Sequence, residues 1–230
     1  MHQAPSTTKY VIIVAGGSGL RMGSDIPKQF IALKGKPILM RTLKKFQDAF
    51  PDIIIKLVLP KDQQEYWRSL CQQYSFSIPH EIVDGGNTRF QSVHSGLKSI
   101  NATDGIVAIH DGVRPFISTA IILKSFSVAE EFGNATVAVP MKDSIRMVEE
   151  DGNFAVDRTS YKVIQTPQTF QLDLIKKAFT TPELPIFTDD ASVFEHAGHK
   201  IILIEGGYEN IKITTPEDLI LGEALLAKEE

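Results

Sequence analysis

The stretch "VIIVAGGSGLRMGSDIPKQF" places glycines directly after an apolar strand and then adds two cations, Arg21 and Lys28. Glycines at a strand end let the backbone approach a ligand closely and turn amide N–H groups toward it. Fixed cations stabilise the negative charge that builds up on a phosphorus during nucleotidyl transfer. We therefore predict that this loop wraps a triphosphate and that the two cations are directed at its reacting phosphorus. The loop glycines are Gly16, Gly17 and Gly19.

This loop does not match three other glycine motifs. Met22 stands where the dinucleotide-binding fingerprint has its third glycine, and no Gly-Lys-Ser/Thr follows to make a Walker A loop. Leu20 occupies the second glycine position of a nucleophile elbow built on Ser18. The remaining alternative is an ordinary glycine turn with two solvated cations. The combination of "GGSGLRM" with "PKQF" favours the phosphate-binding interpretation.

A second glycine-containing loop follows the third predicted strand, in "VDGGNTRFQSVHSGL". Gly86 permits close backbone approach, and the Asn87 amide suits the edge of a base. Arg89 and Ser92 lie at a helix start, which favours phosphate or ribose oxygens. The alternative is a plain turn with a helix N-cap at Asn87 or Thr88.

The loop after the fourth predicted strand reads "IHDGVRPF". The carboxylate of Asp111 can accept sugar hydroxyls or help hold a cation. The guanidinium of Arg114 suits a phosphate or a polyol. A local ion pair between Asp111 and Arg114 explains both residues equally well. We interpret His110 as a packed residue at the strand end rather than a base, because a phosphate nucleophile has no proton to lose.

Polar residues recur in the C-terminal half: Arg158 in "VDRTSY", Thr166 in "IQTPQTF", Thr188 in "FTDDAS" and Lys212 in "NIKITTPEDL". Lys212 interrupts an apolar run that we predict to be a strand from Ile211 to Ile213. It is then either a charged edge residue that discourages strand association or a cation held in a pocket. Thr188 and the two aspartates after it also suit a helix N-cap.

Short apolar runs alternate with segments of helical periodicity, which predicts a mostly parallel sheet between two layers of helices, a three-layer Rossmann-like α/β fold. The predicted strands are Val11–Val14, Ile53–Leu59, Ile78–Val83, Ile106–Ile109, Ala135–Val139 and Ile201–Ile204. The predicted helices are Ile38–Phe50, Gln63–Tyr74, Arg89–Ile100, Ala120–Phe132 and Leu172–Phe179, with a further one starting at "TTPEDL". The segment Met141–Gln165, with the turn signal "EEDGN", predicts a projecting β-arm, an element that often serves as a dimer contact.

The composition favours a single domain over residues 1–230, with 43% hydrophobic and 23% charged residues. The net charge of -4 argues against a general nucleic-acid-binding protein. Cys71 is the only cysteine, so no internal disulfide forms. The polar N-terminus and the lack of a long apolar run predict a cytoplasmic protein with no membrane partner.

Taken in order from Val11 to about Leu219, the motifs resemble the 2-C-methyl-D-erythritol 4-phosphate cytidylyltransferase family. They are "AGGSGLRMG…PKQF", "GG…R…SV…GL", "HDGVRPF", "VDR", "QTPQTF", "TDDAS" and "NIKITTPEDL". The resemblance implies that CTP and methylerythritol phosphate react, with Mg²⁺ as cofactor, to give the cytidylyl diphosphate product and pyrophosphate. It also implies a nucleotidyltransferase fold and a homodimer joined through the β-arm.

The same resemblance implies roles for single residues. Arg21, Lys28 and Lys212 would be catalytic, stabilising the α-phosphorus. Ala15 and the glycine loop would cradle CTP, while Gly86, Asn87 and Ser92 would read cytosine and ribose and Arg89 would support that loop. Asp111, Arg114, Ser144, Thr166 and Thr188 would bind the methylerythritol phosphate, and Arg158 would reach its phosphate from the partner subunit.

Two alternatives stay open at this point. A sister cytidylyltransferase acting on ribitol or another pentitol phosphate shares "PKQF", "RPF" and "QTPQ", whereas "VDR" favours methylerythritol phosphate. A non-catalytic nucleotide-binding module has no evident need for Arg21, Lys28 and Lys212 near one phosphorus. Retention of all three cations therefore favours an enzyme.

Overall fold

A central sheet organises the part of the chain that the computed structural model describes, residues 7–17 and 26–229. Its seven strands are β1 Lys9–Val14, β4 Ile54–Leu59, β5 Glu81–Asp84, β6 Ile106–Asp111, β7 Asn134–Pro140, β10 Lys162–Gln171 and β11 Leu203–Glu205. They lie in the order β11-β7-β10-β6-β1-β4-β5. The pairs β11–β7, β6–β1, β1–β4 and β4–β5 are parallel. The predicted mostly parallel sheet is confirmed.

Helices cover both faces of this sheet. Alternate side chains of β1 point to opposite faces, so Val11 and Ile13 join one buried cluster and Ile12 joins another. Helices α1, α2 and α4 pack on the first face, and α3, α5 and α6 pack on the second. The helix bounds are α1 Ile38–Ala49, α2 Gln64–Gln73, α3 Arg89–Lys98, α4 Thr119–Phe132, α5 Leu172–Ala178, α6 Asp190–His196 and α7 Pro216–Glu229. The arrangement is the predicted three-layer α/β fold.

Strand β10 is the principal element that the sequence patterns did not predict. It runs antiparallel to both neighbours, β6 and β7. Its sequence, "KVIQTPQTFQ", lacks a clear apolar pattern, and a proline within a run argues against an interior strand. Strand β5 begins at Glu81 rather than at the predicted Ile78, because Pro79 has no N–H to donate to a ladder.

The predicted strand from Ile211 to Ile213 is wrong. This segment is a loop, in which the Ile213 N–H donates to the Val113 carbonyl and the Ile213 side chain is fully buried. The apolar character therefore reflects anchoring in a third cluster, which contains Leu226 of α7 and Phe116. At the start of α7, Asp218 Oδ2 accepts hydrogen bonds from the Thr214 and Thr215 N–H groups, as the "TTPEDL" signal predicts.

A hairpin forms within the predicted β-arm. Strands β8, Arg146–Glu149, and β9, Gly152–Ala155, pair antiparallel around the predicted turn. A second small sheet pairs β2, Ala32–Leu33, with β3, Lys36–Pro37. Among the residues that the structure describes, no helix has the length and apolar character needed to cross a membrane.

Candidate active site

A cavity of about 230 Å³ lies beyond the carboxyl ends of β1, β5 and β6. Parallel strands in open α/β sheets bind ligands at this edge, because their following loops converge there. The predicted residues in its wall are Ala15, Gly16, Gly17, Lys28, Gly86, Asn87, Arg89, Ser92, Asp111 and Lys212. The predicted residues Gly19 and Arg21 lie outside the described residues.

Lys28 lies directly against the glycine loop. A Cβ added to Gly17 would stand 3.1 Å from Lys28 Cε and 3.4 Å from Lys28 Nζ, so the ammonium lies beside the backbone of the loop. Lys28 begins a short 3-10 helix that Gln29 fixes in place. The buried Gln29 amide donates to the Ala15 carbonyl at 2.8 Å and to Gln63 Oε1 at 2.6 Å. The cation is thereby positioned by its neighbour in the chain.

The second glycine loop is closed by hydrogen bonds at the start of α3. Thr88, rather than Asn87, is the N-cap, because its Oγ1 accepts from the Gln91 N–H at 3.1 Å. Ser92 Oγ accepts from the Gly86 N–H at 3.1 Å and donates to the Thr88 carbonyl at 2.9 Å. A Cβ on Gly86 would stand 2.3 Å from Gln91 Cβ, so only glycine fits there. The loop is held in one shape, with Asn87 exposed at the cavity wall.

Asp111, at the end of β6, is surrounded by three cations. Its Oδ2 lies 3.0 Å from Lys212 Nζ and 3.2 Å from Arg114 Nε, and its Oδ1 lies 3.8 Å from Arg89 Nε. Burial raises the pKa of Asp111, but Lys212, Arg89 and Arg114 together outweigh burial and hold this pKa well below its usual value. Asp111 is therefore a carboxylate at neutral pH. The predicted local ion pair with Arg114 exists, within a larger cluster.

A buried imidazole and a hydroxyl fix the backbone around Asp111. Thr166 Oγ1 accepts from the Asp111 N–H at 3.1 Å and lies 3.0 Å from His110 Nδ1. His110 Nε2 lies 3.1 Å from the Arg114 carbonyl. Burial lowers the pKa of His110 to about 4. The ring is then neutral, with Nε2–H donating to the carbonyl and Nδ1 accepting from Thr166, so His110 is the packed strand-end residue that the sequence suggested.

A second cavity, of about 280 Å³, adjoins the first. Arg89, Asp111 and Lys212 line both cavities and form the wall between them. The predicted residues Arg114, Thr166 and Thr188 also line the second cavity. An anion in one cavity and a polyol phosphate in the other would thus meet across a wall that carries two cations.

These features agree with comparisons with known proteins. The sequence model of the 2-C-methyl-D-erythritol 4-phosphate cytidylyltransferase family matches residues 9–228. The chain belongs to this family. The enzyme of that name from Bacteroides thetaiotaomicron is 49% identical over 216 residues, 94% of this chain and 98% of the relative. The one from Porphyromonas gingivalis is 50% identical over 220 residues, 95% of this chain and 97% of the relative.

Solved structures lead to the same family. The 4-diphosphocytidyl-2C-methyl-D-erythritol synthase from Anaerococcus prevotii matches with a TM-score of 0.83 at 32% identity, covering 96% of each chain. The enzyme from Francisella tularensis matches with a TM-score of 0.79 at 31% identity, covering 95% of this chain and 99% of that one. The sequence prediction of a nucleotidyltransferase from this family is confirmed.

Two residues predicted for the site of this family member lie in the β-arm and line neither cavity. Ser144 and Arg158 are both exposed. Arg158 Nη1 donates a hydrogen bond to the Lys142 carbonyl of its own chain. Their predicted roles require that the arm of one subunit reach the cavities of another.

Several polar residues near the cavities were not assigned a role from the sequence. The buried Asn210 side-chain amide donates to the Thr166 backbone carbonyl at 2.8 Å, and the Asn210 backbone carbonyl accepts from Arg114 Nη1 at 2.8 Å. Gln168 and Gln29 are also buried. All three lie within the motifs "NIK", "QTPQ" and "PKQF". Their residue types do not indicate that these polar side chains are buried.

Proposed function

We propose that this protein joins CTP and 2-C-methyl-D-erythritol 4-phosphate, giving 4-diphosphocytidyl-2-C-methyl-D-erythritol and pyrophosphate in non-mevalonate isoprenoid precursor synthesis. One observation carries the proposal for this chain: two cavities adjoin across a wall made by Arg89, Asp111 and Lys212. Transfer between two substrates requires that their reacting atoms meet, and adjoining cavities provide that.

The reaction needs charge stabilisation more than proton transfer. A phosphate oxygen of methylerythritol phosphate attacks the α-phosphorus of CTP, and the bond from that phosphorus to the pyrophosphate oxygen breaks. The attacking phosphate is already anionic, so no base is required. Lys28 and Lys212, with Arg21 as predicted from the sequence, stabilise the charge that develops around the α-phosphorus.

The two cavities suit the two substrates differently. The first has the glycine loop, whose backbone suits a triphosphate, and the Gly86–Ser92 loop at the start of α3, which suits ribose and base. The second has Asp111, Arg114, Thr166 and Thr188, whose polar side chains suit hydroxyls and an anion. We therefore assign CTP to the first cavity and methylerythritol phosphate to the second.

We infer that Mg²⁺ enters bound to the triphosphate of CTP. Within residues 7–17 and 26–229, no three His, Cys, Asp or Glu side chains are grouped so as to hold a metal ion. The Asp111 carboxylate is already in contact with cationic side chains. The described residues therefore do not form a magnesium site by themselves, and phosphate oxygens are the hard ligands that this ion prefers.

We also propose that the protein acts as a homodimer in the cytoplasm, joined through the β-arm. Met147, Val148 and Phe154 of the hairpin are exposed, and Val148 is 76% accessible. Exposed apolar side chains on a small hairpin favour burial against a second subunit. In such a dimer, Arg158 and Ser144 would complete the second cavity of the partner.

The proposed function is tested by measuring pyrophosphate release from CTP and Mg²⁺ with methylerythritol phosphate or with ribitol phosphate, together with the mass of the cytidylyl product. We expect turnover with methylerythritol phosphate and a much lower kcat/KM with ribitol phosphate. A preference for ribitol phosphate would reassign the substrate. No turnover with either compound would contradict catalysis.

A further inference from the structure

Arg89 is held by a buried carboxylate from a distant part of the chain. Its Nη1 and Nη2 donate to Asp190 Oδ1 and Oδ2 at 2.8 Å and 2.6 Å, a bidentate contact between residues 101 positions apart. The Asp190 side chain is 1% exposed. Burial opposes the charge on Arg89, but Asp190 outweighs burial and raises the pKa of Arg89 above its usual value. The two side chains form an ion pair that joins the first turn of α3 to the first turn of α6.

The position of Asp190 is in turn fixed by β10. Gln168 Oε1 accepts from the Ala191 N–H at 2.7 Å, and Gln168 Nε2 donates to Asp189 Oδ2 at 2.9 Å. Asp189 also forms a capping box with Ser192, which closes the first turn of α6. Gln168 lies two residues after Thr166 on the strand that lines the second cavity. The ion pair therefore connects the wall of the second cavity with the glycine loop before α3 in the first.

Arg89 also approaches Asp111, but less closely than Lys212 does. Arg89 Nε is 3.8 Å from Asp111 Oδ1, whereas Lys212 Nζ is 3.0 Å from Asp111 Oδ2. An Arg89 released from Asp190 would be attracted to Asp111 and would compete with Lys212 for that carboxylate. Bidentate arginine–carboxylate contacts are directional, so the contact with Asp190 keeps the Arg89 guanidinium from moving closer to Asp111.

We propose that Asp190 is a positioning residue for cytidylyl transfer, which touches neither substrate and holds Arg89 so that the Gly86–Thr88 loop and Lys212 keep their places. This inference rests on the proposed function. A purely structural ion pair would affect unfolding alone. A positioning pair affects CTP binding through the loop and kcat through Lys212.

The test compares Asp190→Asn, Arg89→Gln and the double variant by CTP titration calorimetry and steady-state kinetics. We expect each single variant to weaken CTP binding about tenfold and to lower kcat about tenfold, and the double variant to lose no more than either single one, because both remove the same contact. Asp190→Glu keeps the carboxylate and should recover part of both losses. Arg89→Lys keeps the positive charge but loses the bidentate contact with Asp190. This variant replaces Asp190→Asn in the test if Asp190→Asn fails to fold.

Glu81→Gln is the matched control. It removes the carboxylate that pairs with the buried Lys56, an ion pair that lines neither cavity. It should lower the melting temperature while leaving the CTP dissociation constant and kcat unchanged. Additive losses in the double variant, or Asp190→Asn constants within twofold of the wild type, would overturn the proposal. A wild type that binds CTP but forms no product contradicts the proposed function alone, and the CTP dissociation constants then still decide the role of Asp190.

Discussion

At the scale of single residues, the site depends on cations whose positions are set before any substrate arrives. Lys212 and Arg114 are both held by Asp111, and Lys28 is held against the glycine loop through the buried amide of Gln29. Donors fixed in advance stabilise developing charge without the cost of reorganising at the moment of reaction. The described cations should therefore matter more for turnover than for ground-state binding.

Lys28→Ala tests this expectation. We expect kcat to fall about 100- to 1000-fold while the CTP dissociation constant changes less than about tenfold, because the ammonium acts mainly on the charge of the transition state. Steady-state kinetics and CTP titration measure the two effects. Lys61→Ala, which removes an exposed lysine outside both cavities, is the control and should leave both values unchanged. Equal losses in binding and turnover would make Lys28 a ground-state ligand.

His110 makes a pH-dependent contribution to stability. Because burial lowers its pKa to about 4 in the folded protein, the unfolded chain binds more protons between that value and about 6.5. The free energy of unfolding therefore falls as the pH drops from 6.5 to 4, and His110 accounts for about 3 kcal/mol of that fall.

Urea unfolding of the wild type and of His110→Gln at several pH values measures this contribution. The variant should be less stable than the wild type at pH 7 and should lose less stability on acidification. Parallel pH curves for the two proteins would show that the imidazole does not carry the effect.

At the scale of elements, loop shape determines the first cavity. Gly86→Ala should raise the KM for CTP at least about tenfold, because the new methyl group would overlap Gln91 Cβ at 2.3 Å and push the loop out of place. Glu81→Gln, which changes an ion pair that lines neither cavity, is the control and should leave the KM for CTP unchanged. An unchanged KM for CTP in Gly86→Ala would mean that packing within the loop is not what matters.

Some elements of the fold can be recognised from the sequence, and others cannot. Strand β6 begins with an uninterrupted apolar run, Ile106 to Ile109, so burial on both faces makes it recognisable. From Gln165 to Phe170, strand β10 is buried with polar side chains, among them Thr166 and Gln168, which bond to the end of β6 and to the first turn of α6. These polar residues interrupt the apolar pattern by which a buried strand is recognised in a sequence. The Ile211–Ile213 segment is the opposite case. Its apolar residues suggest a strand, but Ile213 anchors a loop in a third core cluster.

The residues of the site also fall into two groups, those that their residue types make recognisable and those that only their contacts identify. Glycine loops and cations at strand ends were recognisable because their types suit a phosphate, and most of those that the structure describes do line the two cavities. Asp190 and Gln29 act through other residues, and only the three-dimensional contacts identify them. The wall shared by the cavities joins residues far apart in the chain, which no local pattern encodes.

At the scale of the whole molecule, the β-arm decides whether each site is complete within one chain. Arg158 and Ser144 line neither described cavity, although the family resemblance implies a substrate-binding role for both. A dimer in which each arm reaches the cavities of the other subunit would bring both residues to a substrate site. Its interface would also cover the exposed Val148 and Phe154.

Mixing Lys28→Ala and Arg158→Ala subunits tests that arrangement. Each variant alone should be nearly inactive, but a mixed dimer has one site with Lys28 in one subunit and Arg158 from the other. Random reassociation of equal amounts should therefore restore about a quarter of wild-type activity. Heterodimers verified by differential tagging that regain no activity would place Arg158 at the site of its own subunit.

The most direct test of the two-cavity account is a crystal structure with a non-hydrolysable CTP analogue, Mg²⁺ and methylerythritol phosphate bound together. The measured quantity is the distance from the nearest methylerythritol phosphate oxygen to the α-phosphorus. We expect the analogue in the first cavity, the second substrate beside Asp111 and Thr166, and a distance of about 3–3.5 Å. A methylerythritol phosphate outside the second cavity, or on the far side of the triphosphate from Lys212, would contradict it.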